Sequence, residues 1–255
     1  NGDLVGRMYV EHAVTLGADA DVDVVNNYGH ALLREVTCEI GGQEIDKQTG
    51  RWMQIWSDLT EFNPTGAAAQ ADVSNAAKHF GEDGGTLFQK MTGTGKGDAA
   101  GTALEATTRM FIPLQFWFNL NPGLALPLIA LQYHEVKINI EFGGSSGDFA
   151  DAELWADYIF LDTDERRRFA QLSHEYLIEQ VQFTGAESVG ASETSKSVKL
   201  SFNHPVKELI WQRETSTAGT YKSTGKAKLM LNGNDRFAER DAKYFTHVQP
   251  YQHHT

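Results

Sequence analysis

The 255 residues carry 22 Lys and Arg against 34 Asp and Glu, a formal charge of −12. Nucleic-acid phosphates are neutralised by clustered Lys and Arg, so this balance argues against direct nucleic-acid binding. A hydrophobic share of 41% marks a globular chain rather than a disordered one, long enough for one large or two small domains around a sizeable core.

The chain opens on Asn1-Gly-Asp3 directly before an alternating segment, stops at Tyr251-Gln-His-His-Thr255 without a terminating element, and is expected to be an incomplete piece of a longer polypeptide. Nothing in it resembles a signal peptide. Asp19, Asp21 and Asp23 alternate like the first ligands of a calcium loop. Val24 stands where that loop needs Gly and His30 where it needs Glu, so the segment reads as a solvated acidic loop. In Val36-Thr-Cys-Glu-Ile40 the alternation sends Val36, Cys38 and Ile40 to one face, which makes Cys38, the single cysteine, a buried structural thiol. With one cysteine no intrachain disulfide forms.

Trp52, Ile55, Trp56 and Leu59 recur at i, i+3, i+4 and i+7 and predict one short amphipathic helix. From Phe62 to Thr108 the composition turns to Gly, Ala, Thr, Ser and Asp, with Phe80, Leu87, Phe88 and Leu104 as the few large apolar residues. A long surface loop is predicted over 62–108, with a short helix near Ala76 to Phe80. Within it, Gly93-Thr-Gly-Lys-Gly97 lacks the leading Gly and the Ser or Thr after Lys that a phosphate loop requires. Asn63-Pro-Thr65 has Pro in the middle of what would be a glycosylation sequon.

Met110 to His134 is the longest run with no acidic or basic side chain before its terminal His. Its length would suit a bilayer, but Pro113, Pro122 and Pro127 each remove a backbone donor and Asn119-Leu-Asn-Pro-Gly123 is turn chemistry. Lipid does not tolerate unpaired backbone groups, so the run is not transmembrane. It is predicted instead to form several buried strands folded back at Asn121-Pro-Gly123, with Phe111, Phe116, Trp117 and Phe118 giving bulk to a core.

Val136, Ile138, Ile140 and Phe142 alternate with Lys137, Asn139 and Glu141, as in a half-buried antiparallel strand. Leu154 to Leu161 is apolar on both faces except at Asp157, which predicts a central strand between two sheets, with Trp155 and Tyr158 in the core. Arg166-Arg-Arg168 follows Asp162-Thr-Asp-Glu165 and reads as a locally balanced surface. Leu177, Val181 and Phe183, then Val198, Leu200 and Phe202, predict two more strands, with a loop over Gly185 to Ser197 between them. Many short strands with turn signals between them point to an all-β sandwich or barrel.

A weak internal repeat runs through this pattern. The segment from Leu231 to Phe245 resembles that from Ile40 to Met53, aligning Gly233 with Gly42 and, with one residue inserted between, Tyr244 with Trp52. Upstream, His204-Pro-Val-Lys-Glu-Leu-Ile210 echoes His30-Ala-Leu-Leu-Arg-Glu-Val36. A duplicated β domain and a chance similarity both account for it.

No catalytic, cofactor-binding or metal-ligating residue is predicted. His134 and Glu135 fall on a predicted strand, where neighbours point to opposite faces, and His253 and His254 meet the same difficulty if extended. There is neither the His-X-His set of a metal-binding jelly roll nor a Gly-X-Ser-X-Gly nucleophile elbow. A carboxylate pair assembled only in three dimensions stays open.

Six segments taken in order carry a family resemblance: Gly29-His-Ala-Leu-Leu-Arg-Glu-Val36, Glu39-Ile-Gly-Gly-Gln-Glu-Ile-Asp-Lys-Gln48, Trp117-Phe-Asn-Leu-Asn-Pro-Gly-Leu-Ala-Leu-Pro-Leu-Ile-Ala-Leu131, Leu177-Ile-Glu-Gln-Val-Gln182, Phe202-Asn-His-Pro-Val-Lys-Glu-Leu209 and Tyr244 to His254. Together they resemble the major capsid protein of nucleocytoplasmic large DNA viruses, of the phycodnavirus, iridovirus and mimivirus kind. The resemblance runs from near residue 4 to residue 255, interrupted over 62–108. It implies a double jelly roll, two eight-stranded antiparallel sandwiches in one chain. Residues 1 to about 175 would be most of the first roll, lacking its opening strands, and 176–255 the beginning of the second, with loop 62–108 an insertion on the outer capsid face. It further implies a structural, non-enzymatic subunit of an icosahedral capsid. Such subunits form homotrimeric pseudo-hexagonal capsomers that contact neighbouring capsomers and minor capsid proteins, located in the virion and assembled in the host cytoplasm. The alternative from a different class is a carbohydrate-binding or carbohydrate-active jelly roll, which would expose aromatic residues such as Trp117 and Trp155 on a concave face.

Overall fold

A computed structural model describes residues 2–14, 28–61, 87–92, 108–143, 151–190, 192–213 and 224–254. The chain divides into two units, Asn1–Val181 and Gln182–Thr255. In chain order the first unit contains β1 (Leu4–Val14), α1 (Tyr28–Leu32), β2 (Leu33–Ile40), β3 (Gln43–Thr49), α2 (Gly50–Thr60), α3 (Leu87–Thr92) and β4 (Thr108–Pro113). There follow α4 (Trp117–Leu120), β5 (Leu126–Pro127), β6 (Val136–Phe142), β7 (Glu153–Ile159) and α5 (Thr163–Gln171).

These strands make two antiparallel sheets. One sets β4, β1 and β5 in order, with β7 also paired to β1; the other runs β3–β2–β6. Both contribute to one buried cluster, Val10, Met110 and Ile112 from the first and Leu33, Val36 and Cys38 from the second. In a strand only every second side chain faces the core, and two irregularities in the ladders shift which ones do. In β1 the buried positions change from odd to even between Val5 and Val10, and the β1–β7 register slips between Val5 and Met8. In β2 they change between Leu33 and Val36, where the β2–β6 register slips between Leu33 and Glu35.

The strand predicted over 136–142 is present, with its apolar side chains half-buried against the core and its polar ones exposed. Val36 and Cys38 are buried on one face of β2, and Ile40 packs against the same core. The predicted helix is α2. The Thr49 Oγ1 accepts from the Trp52 N–H at 3.2 Å and caps its N-terminus. Its deepest seam is Gly50, Met53 and Ser57 rather than the tryptophan stripe, and Trp52 and Trp56 stack half-buried at 5.6 Å. Gly50 is required by contact: a Cβ there would lie 1.8 Å from the His30 carbonyl oxygen.

Several expectations change. The uncharged run gives one full strand, β4, and the two-residue β5, not several strands. After Pro113 the chain turns through α4 and a 3-10 turn at Pro122–Leu124. Asparagines stabilise this path. Asn119 Oδ1 accepts from the Phe116 N–H at 3.2 Å, its Nδ2 donates to the Gly6 carbonyl at 2.8 Å, and Asn121 Oδ1 accepts from the Gly123 N–H at 2.9 Å. Side chains that satisfy backbone groups locally compete with a strand ladder. Three of the four aromatics are where they were expected: Phe116, Trp117 and Phe118 are buried and in mutual ring contact. Phe111 instead is half-buried outside the core cluster, edge-on to Tyr9, because on β4 the neighbouring Met110 and Ile112 take the core face.

β7 is not covered on both faces. Among the described residues it pairs only with β1, and Trp155 and Tyr158 are 47% and 45% exposed. Apolar residues on both faces record a demand for cover without saying what supplies it. Likewise 177–183 and 198–202 form no strand ladder among the described residues, and Leu177 and Phe183 are exposed. Alternation shows which side chains share a face, whereas a strand needs a hydrogen-bonding neighbour. α3 lies inside the predicted loop, and α5 occupies the predicted balanced surface, with the Asp162 side chain accepting from the Glu165 N–H at 2.8 Å. The Asp162–Glu165 spacing is a helix-start signal that the sequence reading passed over. The acidic loop at 19–23, the helix near 76–80 and the phosphate-loop lookalike at 93–97 lie outside the described residues.

The second unit contains β8 (Lys226–Ala227), β9 (Met230–Leu231), β10 (Asn234–Asp235), β11 (Arg240–Asp241), a π-helical turn at Tyr244–Val248 and α6 (Gln249–His253). β9 pairs with β10 and β8 with β11. The sequence repeat has a counterpart in backbone shape. Gly41 and Gly42 join β2 to β3 with φ of +60° and +81°, and Asn232 and Gly233 join β9 to β10 with +52° and +81°. Two positive φ angles in a two-residue hairpin loop are the type I′ pattern, which favours Gly and Asn.

Candidate functional site

No reactive centre assembles from the described residues. No group of three or more His, Cys, Asp or Glu among them is placed to hold a metal ion, and none of their helices is long and apolar enough to cross a membrane. His134 lies in a turn, its N–H bonded to the Leu131 carbonyl at 2.9 Å, rather than on the strand predicted for it. His253 ends α6 and His254 caps it, so the pair is not extended; His254 Nε2 meets Glu208 Oε1 at 2.7 Å. Burial, then the charges of Asp46 and Glu39, pushes the Cys38 thiol up to about 12. A thiol held protonated and fully buried is no nucleophile.

The first unit instead holds its polar groups in staples. Asp46 of β3 is buried, and its carboxylate accepts from the Val181 N–H, the Lys47 N–H and Gln48 Nε2, each at 3.0 Å. Gln48 Nε2 also donates to the Gln115 carbonyl at 2.9 Å, and Gln115 Nε2 to the Met53 carbonyl at 3.3 Å. A polar line thus crosses from Val181, the last residue of this unit, through β3 to α2. Gln180 Nε2 donates to the Ile45 carbonyl and Ile178 packs on the core, so residues 178–181 are tied down although they form no strand. Burial pushes the Asp46 carboxyl above the usual range, and its three hydrogen bonds offset part of that.

A second staple is Asp3. Its carboxylate accepts from the Leu161 N–H at 2.8 Å and pairs with Arg166 Nε of α5 at 3.1 Å, while its own N–H donates to the Ile159 carbonyl at 3.1 Å. A third is His12 of β1, buried, with Nδ1 2.8 Å from Asp151 Oδ1; Asp151 Oδ2 accepts from the Ala13 N–H at 3.2 Å. Sequence reading found none of these, because each joins residues far apart in the chain. Such an arrangement ties distant parts of the unit to one another. Among the described strands β7 carries the most exposed large apolar residues, Leu154 and Tyr158 on one face and Trp155 and Ile159 on the other.

Comparison with known proteins accounts for all but residues 163–164 in two successive pieces. The family described as major capsid protein N-terminus matches residues 1–162, and the family described as large eukaryotic DNA virus major capsid protein matches 165–255. The chain belongs to the major capsid proteins of large DNA viruses. It is 51% identical over 264 residues to the major capsid protein of Pyramimonas orientalis virus, covering 100% of this chain and 61% of that one. It is 38% identical over 304 residues to that of Paramecium bursaria Chlorella virus 1, covering 99% and 64%. The chain therefore spans a little over three-fifths of the length of these curated relatives. A quasi-atomic structure of the PBCV-1 virus capsid superposes with a TM-score of 0.72 at 34% identity, over 99% of this chain and 68% of that one. The all-β double jelly roll expected from the sequence, most of the first roll and the beginning of the second, is the fold this family member shares with that capsid.

Proposed function

We propose that this chain forms the shell of an icosahedral virus particle, as a structural subunit that trimerises into pseudo-hexagonal capsomers. The observation that carries the reading is the consecutive match of both capsid families over residues 1–162 and 165–255. The stapled body of the first unit supports it, since a shell subunit needs rigidity and complementary edges repeated by symmetry rather than a catalytic group. In this reading residues 1 to about 175 belong to the first jelly roll and 176–255 open the second. Its partners are copies of itself, neighbouring capsomers and minor capsid proteins, it has no enzymatic activity, and it assembles in the host cytoplasm. Sedimentation of the full-length protein at micromolar concentration and physiological salt is expected to give a trimer; a stable monomer would count decisively against the capsomer.

The exposure of Trp155 on β7 favours one second reading, a carbohydrate-binding jelly roll; Tyr158, also exposed, lies on the opposite face of the strand. Trp117 does not contribute to it, being buried. Titration calorimetry against a panel of oligosaccharides separates the two. Binding lost in Trp155→Ala supports a sugar site, and no heat above dilution leaves the shell reading alone.

A further inference from the structure

His30 sits on α1 with no exposed surface. Its Nδ1 lies 2.7 Å from Gln54 Oε1 on α2, and Gln54 Nε2 donates to Asp58 Oδ1 at 2.9 Å. The carboxylate accepts only from the amide nitrogen, which turns the amide oxygen toward His30, so the ring proton resides on Nδ1. Nε2 is then a bare lone pair, buried and without a partner among the described residues. The Phe88 ring of α3 covers the imidazole at 5.7 Å between centroids.

The surrounding backbone leaves no room to adjust. A Cβ on Gly50 would be 1.8 Å from the His30 carbonyl oxygen, and one on Gly29 would be 2.1 Å from the Thr92 carbonyl oxygen. α1 is thereby wedged between the start of α2 and the end of α3. A second ring proton would add a charge and an N–H with no acceptor, and an unpaired buried donor of this kind is strongly disfavoured. We propose that His30 is an acid-sensitive latch: its protonation opens the corner formed by α1, α2 and α3 while the two sheets remain folded.

The ionisable groups on the elements packed around α1 leave the burden on this ring. Asp58 reaches it only through Gln54. On β2, Arg34 pairs with Glu141 and Glu35 with Lys47; on β4, Arg109 pairs with Glu11; on α2, Arg51 is exposed. The described side chains of α3, Leu87, Phe88, Met91 and Thr92, are uncharged. Burial, opposed by the Gln54 bond, lowers the His30 pKa from its ordinary 6.5. Below about pH 6.5 the opened corner takes a proton that the closed one refuses, so closure weakens as pH falls through that value toward the lowered one. Burial raises the carboxyls of Asp46, Asp58 and Glu61, so these act in the opposite direction and favour the folded state on acidification.

Hydrogen exchange of the full-length protein, corrected for intrinsic rates, at about pH 7.5 and about pH 5.5 tests this latch. Peptides covering 28–32, 50–58 and 87–92 are expected to lose protection below about pH 6.5, by a factor approaching tenfold per pH unit, the ceiling for one proton. Peptides of β2 and β6 are expected to hold theirs. Unchanged protection at 28–32, or an equal loss in the sheets, overturns the proposal. His30→Asn keeps a donor toward Gln54 and has no titrating ring, so its profile is expected to be flat; an acid response persisting in that variant also overturns it. Should H30N not fold, the regional profile of the unmodified protein decides alone.

Discussion

The two hairpins of the repeat share a turn and differ in nearly everything built on it. The Gly41–Gly42 turn joins strands of eight and seven residues, and in the first of them Val36 and Cys38 are buried. The Asn232–Gly233 turn joins strands of two residues each, and Leu231 beside it is 53% exposed. Turn geometry is local, because two residues able to adopt positive φ are enough to reverse the chain. A ladder and a core are non-local and need neighbours on the far side of each strand. The second unit has the turn, along with an aromatic group in which Trp211, Phe237 and Tyr244 each meet Phe245, but Trp211 remains 57% exposed.

The largest effect that would test this contrast is truncation of one aromatic in each unit. Phe116 is fully buried and stacked on Phe118 at 5.7 Å, so Phe116→Ala is expected to destabilise the first unit by about 3–5 kcal/mol in chemical denaturation. Trp211→Ala removes a side chain that is already more than half in water and is expected to cost less than about 1 kcal/mol. Equal losses would break the comparison, because they would require a core around Trp211 as complete as that around Phe116.

A smaller effect belongs to Asp46. Asp46→Asn retains an oxygen for the Val181 and Lys47 N–H groups but turns an amide donor toward Gln48 Nε2, itself a donor. The mismatch is expected to cost about 1–3 kcal/mol and to raise hydrogen exchange across 177–181 before the rest of the unit. The pH dependence has a definite sign. A carboxyl whose folded pKa lies above its ordinary 3.8 holds a proton in the folded state that the unfolded chain has released. Stability from this group therefore grows as pH falls through the raised value toward 3.8, and D46N loses that gain. A variant that tracks the unmodified protein at every pH would show that Asp46 does not govern the segment.

The same division between local and non-local determines what was legible in the sequence. The helix around Trp52, the alternating strand at 136–142 and the buried Cys38 all follow from side-chain period. The uncharged run was misread in part because Asn119 and Asn121 satisfy their own neighbourhood, and composition does not distinguish that from a strand. Trp155 and Tyr158 were misplaced because an apolar strand looks the same whether or not a second layer covers it. The Asp46, Asp3 and His12 staples left no signal, since residues such as Asp46 and Val181 meet only after the chain has folded. Family identity survived these errors because it rests on ordered segments such as Glu39–Gln48 and Trp117–Leu131, not on the assignment of any one element.

The smallest expected effect tests whether the two turns are equivalent apart from their surroundings. Gly42 and Gly233 both have φ of +81°, and in each case a Cβ would meet nothing within 4 Å. Alanine at either site therefore meets only the backbone penalty of the left-handed region, about 1 kcal/mol. Paired denaturation of Gly42→Ala and Gly233→Ala, each read by a probe in its own unit, is expected to give matching local costs. The long β2–β3 ladder spreads the Gly42 penalty over the cooperative unfolding of its unit. The β9–β10 pair has only two residues on each side, so the same penalty should appear as early fraying of residues 230–235. A much larger loss at Gly42 alone would mean that the turn is strained by its ladder, and the two hairpins would then share a sequence pattern without sharing an energetic one.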